Sequence, residues 1–437
     1  MAILAQPLEF NRINGQSLTA EMKAAMLAIA KSEGPIFIGG NAGTGKSTLL
    51  RIIRSQANES LAVLAPTGAA ALNVRGTTIH SFFRFPPSLM TQHEFRVSNS
   101  FRDVCRKLSG IVIDEISMVR ADLLDAIDVS LKMHMGNKSP FGGIPVVFFG
   151  DLAQLPPVIG DEQLKTHFPD LYESPFFFDA ACLRFAGLKQ CWLTKTFRQT
   201  EPNFISLLNH IRDATASTYD LTQLNKNVDS NAPRTRPESI VLTTTRRVAS
   251  ETNTRRLNEL DGSENVFEAR IRGKLQENSY PTDANLRLKR GARIVMLQNN
   301  SDSWMNGTLG TVVGFGVRDG DEFVQVQLPS GTHWVKRFTW DVIRYARSTS
   351  GPGLIEEVVG SFEQFPMKLA WAITIHKSQG MTFDQVILDL SHGAFEYGQL
   401  YVALSRCRSL GGLRLTRPIR MSDMKFHPRI LSFERRD

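Results

Sequence analysis

Cysteine and long apolar stretches are both scarce in this chain of 437 residues. The four cysteines (Cys105, Cys182, Cys191 and Cys407) form no CxxC pair, and no histidine pair completes a zinc pattern. These absences argue against a disulfide framework or a zinc finger and favour free structural thiols. No apolar run approaches the roughly 18 residues of a membrane-spanning helix, and the N-terminus lacks a signal-peptide core. We therefore expect a cytoplasmic protein without a membrane partner.

The overall composition is that of an ordinary globular protein. Hydrophobic residues make up 42% of the chain, which is enough for a packed core and excludes wholesale disorder. Lysine and arginine outnumber the acidic residues by 51 to 43, a net charge of +8. This moderate excess fits an anionic partner such as nucleic acid, but many metabolic enzymes are equally basic. Charge alone therefore leaves the partner open.

Short apolar runs alternate with helical patterns in the first half of the chain. They lie at 35–38, 61–65, 110–113, 144–149 and 188–193. This alternation predicts a parallel sheet covered by helices on both faces. Between about 293 and 345 short strand patterns are separated by turn pairs such as Asn306-Gly307, and buried-strand character returns after 370. The simplest architecture is two α/β domains, the second interrupted by a small β barrel.

Residues Gly40–Ser47 match the phosphate-binding pattern GxxxxGK[ST] between a predicted strand and a predicted helix. The glycines allow backbone N–H groups to close around phosphate oxygens, and the helix N-terminus adds positive potential. We expect Lys46 to reach the β- and γ-phosphates and Ser47 to ligate Mg²⁺. The context makes a chance glycine-rich turn a poor alternative.

Two further polar groups follow predicted strands. Asp114 and Glu115 suit a magnesium-side site, in which Asp114 holds Mg²⁺ and Glu115 orients and deprotonates the attacking water. Taken alone, the pair could equally cap a helix. Asp151 and Gln154 follow the next strand, and an amide there can report on the γ-phosphate; the alternative is a turn capped by Asp151.

Arg198 and Arg406 are candidate arginine fingers, because a guanidinium fork stabilises the charge that spreads over γ-phosphate oxygens. Taken alone, either arginine could be a surface salt-bridge partner. Hence the residues by themselves leave both roles open.

Together these segments resemble a superfamily 1 helicase, and most closely the Pif helicase family in the branch that includes RecD and Dda. The resemblance covers about residues 18–415. It rests on the P-loop and on runs at 65–71, 76–82, 114–118, 150–157, 196–199, 288–292, 306–308, 374–382 and 401–406. The strings AWAITIHKSQGMTF and YVALSRCRS are its most specific parts.

The resemblance implies a bacterial or phage-like motor that moves 5′-to-3′ on single-stranded DNA, using ATP and Mg²⁺. Its partners would be single strands, junctions of single- and double-stranded DNA, and G-quadruplexes, with roles in DNA repair, recombination and telomere maintenance. The protein would be monomeric in solution. It implies a first RecA-like domain over 1–200 with a wedge insertion at about 84–106. A second RecA-like domain over 201–437 would carry an SH3-like β-barrel insertion at about 298–362.

The resemblance also implies roles for individual residues. The catalytic set is Lys46, Glu115, Gln154, Arg198 and Arg406. Nucleotide binding is expected from Met22, Asn41, Ala42, Gly43, Thr44, Gly45, Lys46, Ser47, Thr48 and Gly380, and metal binding from Ser47 and Asp114. DNA contacts are expected from Pro66, Thr67, Thr78, His80, Phe82, His376 and Lys377. For Phe82 the alternative is a purely structural role in core packing.

One position departs from the family pattern. Met22 stands where the family usually has glutamine, whose amide reads the adenine edge. A thioether cannot form the pair of hydrogen bonds that an amide makes with a base. The sequence therefore leaves undecided whether the site selects adenine.

Three other functions share the phosphate site. A DNA-dependent ATPase switch would bind DNA without directional movement, and a motor module would work inside a larger recombination or conjugation complex. A nucleotide kinase shares only the P-loop.

Overall fold

The computed structural model describes residues 3–4, 12–13, 16–31, 34–57, 60–85, 97–159, 168–273, 275, 277–300, 303–318, 320–347 and 354–434. These residues form two parallel sheets flanked by helices, together with several antiparallel sheets. Among them, no helix is long and apolar enough to cross a lipid bilayer.

The first parallel sheet has six strands. Their spatial order is Thr77–Thr78, Leu61–Ala65, Gly110–Ile113, Val146–Gly150, Ile36–Gly40 and Lys189–Leu193. All except the first coincide with the predicted apolar runs. The three central strands and Ile36–Gly40 are buried throughout, which explains their continuous apolar sequence. Separate apolar clusters cover the two faces of the sheet.

Helices and 3-10 turns surround this sheet. The helices are Ala20–Lys31, Lys46–Gln56, Gly68–Asn73, Ile79–Phe83, Asn99–Lys107, Ala121–Met135 and Ala181–Ala186. Short 3-10 helices lie at Ile116–Met118, Pro140–Gly143 and Phe177–Asp179. Of the predicted wedge insertion at about 84–106, residues 86–96 lie outside the described residues.

The second parallel sheet has four strands in the order Ala372–Thr374, Ile240–Thr243, Val386–Asp389 and Leu413–Leu415. Its helices are Pro202–Arg212, Thr218–Asn225, Ala232–Thr235, Arg246–Asn258 and Gln399–Leu404, with 3-10 helices at Glu277–Ser279, His376–Ser378 and Met421–Asp423. A third apolar cluster packs this sheet against its helices and also includes Ala42, Ala153 and Leu155 of the first unit.

Antiparallel strands interrupt the second unit, as predicted. Five pair in the order Gly331–Val335, Asp321–Leu328, Leu309–Arg318, Arg293–Met296 and Met367–Leu369, around an apolar core of their own. A three-stranded sheet joins Arg270–Gly273, Leu354–Gln364 and Phe338–Arg347. Two-stranded pairs join Asn265–Glu268 to Asn285–Leu288 and Arg12–Ile13 to Gln16–Ser17. The long antiparallel pair of Phe338–Arg347 with Leu354–Gln364 was not predicted.

Two segments from beyond residue 200 pack on the first core. The strand Phe338–Arg347 contributes Tyr345, whose hydroxyl accepts the Val63 N–H at 3.1 Å. The final helix, Pro428–Glu434, contributes Phe433, which stacks on Phe178 with ring centroids 4.4 Å apart. Because these segments cross the proposed boundary near residue 200, the division of the chain into 1–200 and 201–437 stays a prediction.

Candidate nucleotide and DNA site

The candidate residues gather at one edge of the first sheet. Its strands run parallel, so their carboxyl ends, and the loops that follow Gly40, Ile113, Gly150 and Leu193, meet at the same edge. This is the edge at which open α/β sheets bind ligands. The same topology therefore assembles the P-loop, the acidic pair, Gln154 and Arg198.

The P-loop, residues 40–47, adopts a conformation suited to anions. Gly43 and Gly45 have φ angles of 84° and 90°, a left-handed region that favours glycine, and a helix begins at Lys46. The Lys46 ammonium donates hydrogen bonds to the carbonyls of Gly40 and Asn41. Burial lowers the pKa of Lys46 despite nearby carboxylates. A half-buried ammonium that is bonded to two loop carbonyls at the start of a helix fits a phosphate group.

Asp114 and Glu115 form a half-buried acidic pair beside Lys46. Burial and the neighbouring Glu115 raise the pKa of Asp114 to about 7, and burial also raises the pKa of Glu115. Two carboxylates that resist ionising side by side would both be stabilised by a divalent cation. The pair therefore fits Mg²⁺, which Asp114 and the exposed Ser47 would hold.

Gln154 connects Asp151, at the carboxyl edge of the first sheet, with the second unit. Its Nε2 donates to Asp151 Oδ2 at 2.9 Å, and its Oε1 accepts from Gln379 Nε2 at 3.4 Å. Asp151 Oδ1 also accepts the Ala153 N–H at 3.3 Å, so it caps the turn, which was the alternative to a catalytic role. Asp151 therefore combines the capping role with contacts to the site.

The two candidate arginine fingers lie close together, one from each unit. The Arg198 Nη1 donates to the Ser405 carbonyl at 3.2 Å. Arg406 is 1% exposed and donates to the Val402 carbonyl at 2.9 Å and to the Ser405 hydroxyl at 2.7 Å. Burial lowers the pKa of Arg406 and so does the nearby Arg198. The surface salt-bridge alternative is therefore wrong for Arg406, and an anion between these guanidinium groups would be strongly stabilised.

Sequence reasoning missed the residues that join the two units at this site. Tyr401 Oη accepts the P-loop Ala42 N–H at 3.0 Å and donates to Asp151 Oδ2 at 3.3 Å. Gln199 Nε2 donates to the carbonyls of Ser405 and Cys407 at 3.1 and 3.0 Å. Both lie in the quoted runs at 196–199 and 401–406, so the runs themselves were the available signal.

Arg212 and Asn209, on the Pro202–Arg212 helix, also reach the site and carry no sequence signal. Arg212 Nε lies 3.7 Å from Asp151 Oδ1, and its other nitrogens bind Glu434 of the final helix at 2.6 and 3.1 Å. Asn209 Oδ1 accepts a hydrogen bond from Asn41 Nδ2 at 3.0 Å. Only the folded topology brings these residues to the P-loop.

Met22 packs directly against the P-loop. It lies in the first turn of the Ala20–Lys31 helix, and a Cβ built on Gly45 would lie 2.5 Å from its terminal methyl group. This places the side chain beside the N-terminus of the Lys46–Gln56 helix. Its role in base selection stays a prediction.

The expected DNA contacts of the first unit lie after two neighbouring strands: Pro66 and Thr67 follow Leu61–Ala65, and Thr78 and His80 lie at the end of Thr77–Thr78. Thr67 and Thr78 accept the N–H groups of Ala70 and Ser81, each at 3.2 Å, and so cap short helices. His80 is half-buried, and burial lowers the pKa of its ring. Together with Pro66, these residues lie at the carboxyl edge of the sheet.

Phe82 does not lie on that surface. Its ring is 6% exposed and packs edge-on against Phe83, Phe101 and Tyr345, with centroids 4.9 to 5.9 Å away. The proposed stacking role for Phe82 conflicts with this burial, because a base cannot reach either ring face. The core-packing alternative describes its position.

The expected DNA contacts of the second unit lie on a 3-10 helix. His376 Nε2 contacts Glu396 Oε2 at 2.9 Å, and Lys377 is exposed to solvent. Gly380 follows with a φ angle of 78°, and nothing lies within 4 Å of the position that a Cβ would take there. Their roles in binding DNA and nucleotide stay predictions.

Known proteins are similar to this chain in sequence and in fold. A family model described as PIF1-like helicase matches residues 17–221, and one described as UvrD-like helicase C-terminal domain matches residues 369–411. The human ATP-dependent DNA helicase PIF1 is 35% identical over 98% of this chain. The alignment covers 65% of the human protein, so the chain spans less than two thirds of that relative's length.

Solved structures match over almost the whole chain. Pif1 from Bacteroides sp. in complex with ADP-AlF4 is 37% identical, with a TM-score of 0.89, covering 96% of this chain and 97% of that one. Bacteroides Pif1 bound to single-stranded DNA is 38% identical, with a TM-score of 0.68 and the same coverage. The predicted α/β fold with two RecA-like domains is thereby confirmed. This chain belongs to the PIF1-like helicase family.

Proposed function

We propose that this protein is an ATP-dependent DNA helicase that moves 5′-to-3′ along single-stranded DNA and separates duplexes. One observation carries the proposal. The P-loop and acidic pair of the first unit face Arg406 and Tyr401 of the second unit across one seam. A nucleotide bound there would touch both units, so its binding and loss can change how they close.

The residues at the seam divide the chemistry among them. Mg²⁺ bound to ATP would neutralise phosphate charge and orient the γ-phosphate. Lys46 and the loop amides hold the phosphates, and Asp114 with Ser47 holds the metal. Glu115 orients a water and accepts its proton, while Arg198 and Arg406 stabilise the charge that develops. Gln154 links this chemistry to the second unit through Gln379.

Single-stranded DNA is the proposed track. The Bacteroides relative has been solved bound to single-stranded DNA, which supports a strand binding across both units. Pro66, Thr67, Thr78 and His80 would contact it from the first unit. His376 and Lys377 would contact it from the second unit, so each closure could shift the strand in one direction. Junctions and G-quadruplexes are proposed as substrates on the family resemblance alone, as are a monomeric state and a cytoplasmic address.

A strand-displacement assay tests the proposal. Two partial duplexes, one with a 5′ tail and one with a 3′ tail, are compared with ATP and Mg²⁺. We expect only the 5′-tailed duplex to open. Opening of only the 3′-tailed duplex would refute the polarity. DNA-stimulated ATP hydrolysis without opening of either duplex would instead favour the ATPase switch or a motor that needs partner subunits.

Two arginines in one run provide a matched pair of variants. Arg406 is buried at the seam, whereas Arg408 is exposed and paired with Asp384 at 2.7 Å. We expect Arg406→Lys to lower DNA-stimulated hydrolysis about a thousandfold or more, because lysine lacks the guanidinium fork. Arg408→Lys should retain wild-type hydrolysis. Equal rates in the two variants would remove Arg406 from the proposed role.

A further inference from the structure

Tyr401 occupies an unusual position for a side chain of the second unit. It lies on the Gln399–Leu404 helix, is 4% exposed, and its hydroxyl accepts the N–H of Ala42 at 3.0 Å. Ala42 belongs to the P-loop, whose backbone N–H groups bind phosphate oxygens in proteins of this kind. A phenol oxygen therefore lies where a phosphate acceptor would be expected.

The surroundings of Tyr401 fix its hydroxyl in this place. The Tyr401 hydroxyl donates to Asp151 Oδ2, with the two oxygens 3.3 Å apart. Asp151 Oδ2 also accepts from Gln154 Nε2 at 2.9 Å, and Asp151 Oδ1 lies 3.7 Å from Nε of the buried Arg212. Burial and the Asp151 carboxylate raise the pKa of Tyr401, so the phenol stays protonated and neutral. The hydroxyl can therefore donate to Asp151 while accepting from Ala42.

We propose that the Tyr401 hydroxyl competes with the nucleotide for the Ala42 N–H. It accepts this N–H when no γ-phosphate is bound, and the phosphate of ATP replaces it when ATP binds. This inference rests on the proposed function, since it assumes that ATP is the ligand of the P-loop. Tyr401 is thereby a positioning residue. It couples phosphate binding to the helix that leads into Arg406, because release of the phenol frees this helix from the P-loop.

The Tyr401 phenol and the Lys46 ammonium reach the P-loop from different units. Lys46 also bonds to the loop, through the carbonyls of Gly40 and Asn41, but it belongs to the same unit. A contact within one unit cannot report on how the two units are arranged. The contact from Tyr401 breaks whenever phosphate displaces it or the seam opens, so it senses both events.

Tyr401→Phe tests the proposal, because it removes only the competing oxygen. Tyr345→Phe is the matched control: the Tyr345 hydroxyl also accepts a backbone N–H, that of Val63 at 3.1 Å, away from the P-loop. The measurement is the equilibrium affinity for a non-hydrolysable ATP analogue with Mg²⁺ and for ADP, by calorimetry without DNA. Phenylalanine keeps the ring, so both variants retain the packing around it.

The expected result is a selective gain in affinity. Since a neutral hydrogen bond contributes modestly in net terms, Tyr401→Phe should bind the ATP analogue about three- to tenfold more tightly than wild type. The affinity for ADP should change less, and Tyr345→Phe should match wild type for both ligands. Unchanged or weaker analogue binding in Tyr401→Phe, or an equal gain in Tyr345→Phe, would overturn the competition. A wild-type protein that binds no nucleotide would instead refute the proposed function.

Discussion

Gly398 of the second unit lies close to the backbone of the Gln154 loop. It precedes the Gln399–Leu404 helix with a φ angle of 70°. A Cβ built there would lie 2.3 Å from the Ala153 carbonyl oxygen and 2.6 Å from the Gln154 carbonyl oxygen. Both atoms are backbone, so neither can rotate away. Gly398→Ala therefore forces the loop and the helix apart.

Two costs of this substitution can be separated. The left-handed conformation costs a residue with a Cβ about 1–2 kcal/mol. The clash adds a displacement of roughly 1 Å, since carbon and oxygen atoms in contact lie well beyond 3 Å apart. That shift falls between Gln154 and the helix that carries Tyr401, close to the proposed chemistry. A misplacement of this size can lower turnover about tenfold to a hundredfold.

Gly393→Ala isolates the first cost. Gly393 has a φ angle of 73°, and nothing lies within 4 Å of the position that its Cβ would take. Both glycines lie between the strand Val386–Asp389 and the helix Gln399–Leu404. We expect both variants to lower the thermal midpoint by a few degrees. Only Gly398→Ala should lose DNA-stimulated ATP turnover, measured at saturating DNA. Equal turnover in the two variants would show that the close approach at Gly398 does not position the site.

Three further predictions address single side chains. Glu115→Gln should keep nucleotide and single-strand binding but lower DNA-stimulated turnover about 10²- to 10⁴-fold, because the amide cannot accept a proton; retained turnover would remove Glu115 from the base role. Met22→Gln should raise the ATP-over-GTP ratio of kcat/KM about five- to tenfold, because an amide can pair with the adenine edge; an unchanged ratio would show that this position does not read the base. Burial lowers the pKa of His134, whose neutral ring accepts the Ser98 N–H at 3.2 Å and bonds the Ser130 carbonyl at 2.7 Å. Stability from this depressed pKa is lost as pH falls below about 6.5, so the thermal midpoint of His134→Gln should fall less than that of wild type between about pH 7.5 and 5.5. Equal falls would contradict the buried neutral ring.

Local patterns predicted the elements that carry the phosphate chemistry. The strand Ile36–Gly40 and the P-loop could be recognised because an apolar run, a glycine-rich turn and a helix start occur within a few residues. Asp114 and Glu115 could be placed because strand ends in a parallel sheet share one edge. These inferences needed only sequence neighbours and one topological rule.

Contacts between distant segments could not be predicted in this way. Arg212 meets Asp151 only because the Pro202–Arg212 helix passes the first sheet, and Glu434 joins them from the end of the chain. The strand Phe338–Arg347 packs Tyr345 against Phe82, so Phe82, which the sequence suggested as a DNA contact, lies in an apolar core instead. Such outcomes depend on tertiary packing, which overrides what a local pattern indicates.

The seam between the units includes, at its nucleotide edge, polar contacts that ligands can replace. Gln199 and Arg198 bond to carbonyls near Arg406, and Tyr401 bonds to the P-loop amide. Each such hydrogen bond contributes about 0.5–1.5 kcal/mol in net terms, so a few of them hold the seam by several kcal/mol. A ligand must favour one arrangement by about 5.5 kcal/mol to reverse a 99-to-1 preference. The polar contacts are comparable with that figure in total strength, so a ligand that replaces them can change the arrangement at the nucleotide edge. Apolar contacts such as those of Tyr345 and Phe433 with the first core also join the units. Polar contacts to backbone at the nucleotide edge therefore suit the proposed motor, which must open and close there in every cycle.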